Sequence, residues 1–317
     1  MQEKMETQEF LSELVAQLTP AKTLQLAFYI SFASYVVYRS YFDPLAAIPG
    51  PLICRLTYLW DWYHSYIGDE SKQIDELHRK YGPVVRISPQ DVVISDGAAL
   101  APIYSERGGF LKAPCYANFD SEGHATIFSA LDPKHRAIRS KAVMPMFSTA
   151  NIRARSQAIE DCVNSMVDRL KREAEQSRAT GKQTGRSSPV NVLNVSRGLA
   201  IDAVSSYLFG KTYGGNKENS TKLSATTYVD SIVIFGRMFF LPPWLFVPLI
   251  NLYERLFPDP EVGPSSDKVN SFTNPLVDSS VDEHDTYQSR LLKAGCSNNE
   301  ADVQMKDVIF AGTDTSK

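Results

Sequence analysis

The sequence predicts a mainly α-helical protein with a small β hairpin near its front. Two patterns predict this. Apolar residues recur at helical spacing, with caps and stops, over most of the chain from Thr23 onward. Alternating strand-like runs are confined to Val84-Val85-Arg86-Ile87 and Val92-Val93-Ile94, with Ser88-Pro89 turning between them. The 317 residues, 43% hydrophobic and 22% charged, exclude collagen-like, disulfide-scaffold and wholly disordered classes. Lys+Arg 33 against Asp+Glu 36, a net charge of −3, gives no electrostatic basis for nucleic acid as a partner.

Residues 1–22 form a polar N-terminal segment whose Glu3, Glu6, Glu9 and Glu13 disfavour a cleaved signal peptide. Residues 23–38 are charge-free and rich in aromatics (Phe28, Tyr29, Phe32, Tyr35, Tyr38), as in a membrane anchor helix. The run is slightly short for an untilted span, which takes about 17–25 residues, and an amphipathic core helix is the other reading. Residues 39–52 form a proline-rich hinge around Ile48-Pro49-Gly50-Pro51, and residues 53–317 form the body.

Within the body, Ser71 caps a helix that Gly82-Pro83 stops after Tyr81, and Asp96 caps a short helix through Tyr104. The stretch 105–130 is irregular. Asp132-Pro133 opens a helix to about Met144, and a long amphipathic pattern covers Asn151 to Gln176. Residues 177–189 read as a polar connector, Val190–Phe209 as a helix stopped by Gly210, and 214–222 as an exposed loop. In the apolar run Met238–Tyr253, Pro242, Pro243 and Pro248 exclude a regular spanning helix, leaving a buried loop or a patch that dips into a membrane surface. Residues 258–283 read as a polar surface segment with four prolines, and one last helix covers Asn299–Ser316.

Cys54, Cys115, Cys162 and Cys296 lie too far apart in the chain for a zinc or thioredoxin-like motif and read as free, mostly buried thiols in a reducing compartment. Dinucleotide, P-loop, zinc-protease and serine-hydrolase signatures are all absent. Two constellations remain. In Asp307–Ser316, Ala311 and Thr315 share one helix face beside Gly312, which leaves room for something large. A mid-helix threonine hydroxyl can bond the i−4 carbonyl, and Asp314 beside it could pass protons; a plain polar helix end is the alternative. His135 and Arg139 are also one helical turn apart and could hold a carboxylate, or simply form a solvated face with Lys134, Arg136 and Lys141.

Taken in order, these elements resemble the front part of a membrane-anchored fungal cytochrome P-450 monooxygenase. Ile48–Pro51 resembles its proline-rich hinge, and Tyr81–Pro89 its first helix running into the first sheet. His135–Arg139 is similar to the W-x-x-x-R site that contacts haem propionates, with His in place of Trp. Asp202–Gly210 is similar to a helix end of the trichodiene-oxygenase-like branch. Ala311–Ser316 matches the oxygen-activation motif [AG]-G-x-[DE]-T-[TS] at every position. The resemblance implies haem as cofactor, with His135, Arg139, Ala311 and Gly312 on the haem side and Asp314 and Thr315 as the proton-relay pair. It further implies an NADPH-dependent reductase and a small lipophilic substrate as partners. The expected location is the endoplasmic reticulum membrane, single-pass, with the body on the cytosolic face.

The resemblance stops just after the oxygen-activation helix, so the expected architecture is an incomplete cytochrome P-450 fold behind an anchor. None of the four cysteines has Gly two residues later or Phe seven residues earlier, so the iron-ligating cysteine loop is absent. The E-x-x-R matches at Glu76–Arg79 and Glu175–Arg178 precede the oxygen-activation helix and read as chance. The leading expectation is a truncated, catalytically inactive relative connected with fungal secondary metabolism. An active monooxygenase with an incomplete sequence is the second reading, and a non-catalytic membrane-bound interaction module the third.

Overall fold

The computed structural model describes residues 19–105, 110–184, 189–218, 220, 222–278 and 285–315. The chain divides into two compact units, up to Phe110 and from Leu111 onward.

In the first unit, α1 (Pro20–Val37) starts with Thr19 accepting from the Lys22 N–H and Pro20 in the first turn. It has no buried residue, and Leu24, Phe28 and Ile30 are all more than half exposed. Among the described residues, no helix is long and apolar enough to cross a membrane. The hinge is a fastened corner. The Arg55 guanidinium on α2 (Leu52–Leu56) donates to the carbonyls of Ser40 and Ala46 at 3.3 and 3.0 Å. Gly50 lies so close to the next strand that a Cβ there would stand 2.3 Å from the Arg86 carbonyl oxygen, and the Arg86 N–H donates to the Pro49 carbonyl.

Two further helices follow, α3 (Leu59–Ile67) and α4 (Glu70–Tyr81). The latter starts one residue before the expected Ser71 cap, with Asp69 in the cap position; the Asp69 side chain instead pairs with His64 at 2.7 Å. The expected hairpin forms, β1 (Val84–Arg86) pairing antiparallel with β2 (Val92–Ile94) and Val85 opposite Val93. The fully buried Arg86 pairs with Asp43 at 3.2 Å, so the only cation in the hairpin is neutralised where it is buried. Asp96 caps as expected, accepting from the Ala98 N–H, but the sequel is a short 3-10 turn and a π turn rather than one helix to Tyr104.

Among the described residues, the regular elements of the second unit are helices. Asp132 caps α5 (Pro133–Val143), and the Asn151–Gln176 pattern resolves into α6 (Thr149–Ala154) and α7 (Ser156–Thr184), broken at Arg155. The connector expected from 177 is helix up to Thr184, because a lone Gly181 among good helix formers does not stop an exposed helix. Residues 185–188 of that connector lie outside the described residues. Next come α8 (Val192–Phe209), ended by the left-handed Gly210, and α9 (Thr226–Gly236).

Three expectations are corrected here. The Met238–Tyr253 run is not a buried loop. Most of it is α10 (Pro243–Leu256), which Pro243 starts and Pro248 interrupts only at the carbonyl of the exposed Trp244. The 258–283 segment contains α11 (Val262–Asp278), whose Val269, Thr273, Leu276 and Val277 are buried at helical spacing despite Pro264 and Pro275. The 214–222 stretch is not simply an exposed loop, for Gly215 and Asn216 are buried. The carboxylate of Asp202 on α8 accepts the backbone N–H groups of Gly214, Gly215 and Asn216 at 2.7, 2.7 and 3.0 Å.

After α12 (Tyr287–Lys293) comes α13 (Asn298–Thr315), matching the last expected helix to within a residue. The core joins Ile201 and Leu208 of α8 to Val269 of α11, Leu291 of α12 and Ala301, Met305 and Ile309 of α13. Cys54, Cys162 and Cys296 are buried and none of the four cysteines forms a disulfide, with burial raising the Cys54 thiol to about 12.

Removing the Asp202 carboxylate strands three N–H groups, two of them on buried residues. Asp202→Ala is therefore expected to cost on the order of 3 kcal/mol in urea unfolding, and Asp202→Asn, which keeps one acceptor, clearly less. Equal losses for the two variants would assign the effect to packing instead.

Candidate functional site

The C-terminal half of α13 carries the candidate site. Its Thr315 hydroxyl donates to the Ala311 carbonyl at 2.6 Å, the back-bond expected of a mid-helix threonine. Ala311 and Thr315 are exposed together on one face. Gly312 faces the other way: a Cβ there would stand 2.6 Å from Val204 Cγ2, so glycine is what lets α13 close on α8. Thr313 is fully buried, and its hydroxyl has no hydrogen-bond partner.

Asp314 points to Arg197 of α8 at 3.6 Å, while the same guanidinium nitrogen binds Asp230 of α9 at 2.6 Å. Arg197 is 5% exposed, so its charge acts through little solvent. The contact of Arg197 with Asp314 is the longer of these two ion pairs.

His135 and Arg139 do share a face of α5, and the Arg139 guanidinium donates to the His135 carbonyl at 3.4 Å. Neither is a solvated residue. Arg139 is buried and ion-paired with Glu300 in the first turn of α13, while His135 Nε2 and Arg139 Nε are buried without partners. Ala311 lies eleven residues further along α13, about 16 Å by helical rise. The structure thus brings Arg139 to the start of α13 and Asp314 and Thr315 to its end.

Beside α13 lies a cavity of about 260 Å³ lined by Val303, Lys306, Asp307 and Phe310 on one side and by Phe119, Tyr228 and Phe239 on the other. Phe119 and Phe239 have ring centroids 4.8 Å apart. The segment 118–128 is locked onto α13. Gln304 accepts from the Ile127 N–H and donates to the Ala125 carbonyl, and Lys306 pairs with Glu122 and Asp302 at 2.7 Å each. Glu122 adopts φ +52, a left-handed conformation rare for such a residue, and the Lys306 pair holds it there. Part of the stretch expected to be irregular is therefore an ordered wall. Burial pushes the Asp307 carboxyl up from its ordinary value, against the Thr126 hydroxyl and the field of Lys112.

Arg197, Asn118 and Asp307 were not singled out by motif. Asp307 could have been, since it stands one turn before Ala311 and two before Asp314 on the same helix. Arg197 carries no local signal, because its partners lie 33 and 117 residues away.

The site fits a flat prosthetic group only in part. Ala311 and Thr315 offer it a small-residue face, and His135 Nε2 is a buried group awaiting a partner, but the Arg139 charge is taken by Glu300.

The Glu300 carboxyl is held below its ordinary value by the Ser297 N–H first, opposed by burial and aided by Arg139. A lowered folded-state value stabilises the fold above the unfolded value of 4.5, and the gain is lost as pH falls through the folded value. Glu300→Gln should flatten the fall of unfolding midpoint between neutral pH and about pH 3, without changing the profile above pH 6.

Sequence comparison agrees with this geometry. Residues 49–317 match the family described as Cytochrome P450. A cytochrome P450 monooxygenase of Annulohypoxylon moriforme is 36% identical over 89% of this chain and 59% of its own length. One from Aspergillus terreus is 32% identical over 56% of this chain and 34% of its own. A tryptophan 6-hydroxylase of Fusarium equiseti is 28% identical over 60% and 36%. The chain thus spans between about a third and three-fifths of the length of these relatives. The family's cofactor is haem and its members generally draw electrons from a redox partner. With the family model matching residues 49–317, well over half of its length, the chain belongs to the cytochrome P450 family.

Proposed function

We propose that these residues form the substrate side and oxygen side of a haem-dependent monooxygenase that inserts one atom of O₂ into a small lipophilic metabolite. The observation that carries this reading is the end of α13: the Thr315–Ala311 back-bond, Asp314 beside Arg197 and an aromatic cavity one and two turns earlier on the same helix. Bound haem supplies the activation of dioxygen. Ala311 and Thr315 would meet it, with His135 at its polar edge, and Gly312 keeps α13 close enough to α8 to hold that face in place.

Thr315 can turn its hydroxyl from the Ala311 carbonyl towards a bound group, and so offer a proton at Oγ1. Asp314, next to Thr315 and paired with Arg197, is the acid that would replace that proton. The aromatic wall of Phe119, Tyr228 and Phe239 holds an apolar substrate and excludes water. Electrons would come from an NADPH-dependent reductase. The relatives and the Asp202–Gly210 stretch favour a fungal secondary-metabolite enzyme of the trichodiene-oxygenase-like branch. Exposed apolar side chains all round α1 favour attachment of the chain to the endoplasmic reticulum membrane, with the body on the cytosolic face.

None of the four cysteines lies in a thiolate loop, and the burial of Cys54, Cys162 and Cys296 suits packing rather than iron ligation. These 317 residues alone are accordingly proposed to be inactive. Expressed with haem supplied, they should give no thiolate-type Soret band in the reduced carbon-monoxide difference spectrum; such a band would overturn the proposal of inactivity. The relay has its own test in any thiolate-complete form. Asp314→Asn and Thr315→Ala should each lower turnover at least about tenfold while leaving substrate binding unchanged.

A further inference from the structure

We propose that the cavity beside α13 selects a lipophilic substrate carrying a basic nitrogen, with Asp307 as the residue that recognises its charge. This rests on the reading of the cavity as a substrate site and names the class of substrate.

Asp307 lines the cavity, yet among the described residues it forms no ion pair. Lys306, which also lines the cavity, and Lys112, whose field reaches Asp307, make their direct contacts elsewhere. Lys306 is bound by Glu122 and Asp302 at 2.7 Å each. Lys112 lies over the rings of Tyr116 and Phe128, at 5.0 and 5.4 Å from their centroids, and donates to the carbonyls of Ile127 and Phe128. The direct support for the Asp307 carboxyl is the Thr126 hydroxyl.

A carboxyl in an aromatic cavity with the field of Lys112 beside it but no ion pair of its own is unfavourable unless something else justifies it. Asp307 has no fold-building bond comparable with those of Asp202, Asp302 or Glu300, so its placement is not explained by stability. A protonated amine would complete it. The ammonium N–H groups can donate to the Asp307 carboxylate and to Asn118 Oδ1, a buried acceptor with no partner whose amide nitrogen is fixed by the carbonyls of Phe239 and Leu241 at 2.8 Å. The rings of Phe119, Tyr228 and Phe239 would cover the apolar body and attract the cation through their faces. Asp120, also at the cavity, adds negative charge and no compensating cation.

Tryptamine and tryptophol, matched in shape and differing in charge, provide the test on the 317-residue chain by isothermal titration calorimetry at pH 7. Tryptamine is expected to bind about tenfold more tightly than tryptophol, and Asp307→Asn to abolish that preference by weakening tryptamine alone. Phe239→Ala should weaken both ligands equally, which locates the binding in the cavity, and thermal melts of both variants report their folding. Equal affinities for the two probes, a preference that survives in Asp307→Asn, or no binding of either probe would overturn the proposal. The readout needs neither haem nor turnover, so its failure is distinguishable from that of the monooxygenase reading. In that case the relay variants of Asp314 and Thr315 would still lower turnover.

Discussion

The burial of α8 is the constraint on which the second unit depends. A helix enclosed on most sides must satisfy every polar group it carries, and α8 carries Asn194, Arg197, Asp202 and Ser205, all buried. Each is answered by a different segment. Asn194 accepts from the Leu223 N–H, Asp202 from three consecutive N–H groups, Ser205 from the Tyr213 N–H, and Arg197 reaches Asp230 and Asp314. The same four side chains that make α8 tolerable in the core therefore determine the path of residues 213–223 and tie α9 and α13 to it. Lost together they would not merely weaken α8; the elements around it would have no register.

The site inherits its geometry from this arrangement. Gly312 and Val204 bring α13 and α8 into close contact, which turns Ala311 and Thr315 outward and Asp314 towards Arg197. The start of α13 is held separately, by Glu300 on Arg139, and its middle by Gln304 and Lys306 on the 118–128 segment. One helix is thus anchored at three levels by different parts of the chain. Its cavity-facing residues come at helical spacing between those anchors, which is how an acid such as Asp307 can stand in an apolar cavity without being part of the scaffold.

Much of this was legible in the residues because the signals were local. Asp132-Pro133, Gly82-Pro83, Gly210 and the period-two runs around Ser88-Pro89 set their own caps, stops and turn within a few residues. Where local and tertiary preferences conflicted, the reading failed. Prolines in α10 and α11 argue against helix in isolation, but packing of Phe246, Val269 and Leu276 outweighs the loss of one hydrogen bond in an exposed turn. The 214–222 stretch reads as solvent-exposed from its polarity, and nothing near it in sequence reveals that the Asp202 carboxylate waits for its amides.

By itself the sequence determined the family, through an ordered set of short motifs, and the helical face that places Ala311 and Thr315 one turn apart. It did so because helix periodicity and capping act over three or four residues. The partners of the site were settled by tertiary structure alone: Arg197 for Asp314, Glu300 for Arg139, Val204 for Gly312 and an aromatic wall for Asp307. Those pairings join residues from about 70 to 190 positions apart for the wall, and more than a hundred for the rest. They exist only once burial of α8 has brought the helices together, because a charge or a close approach acts over ångströms of space and carries no trace along the chain.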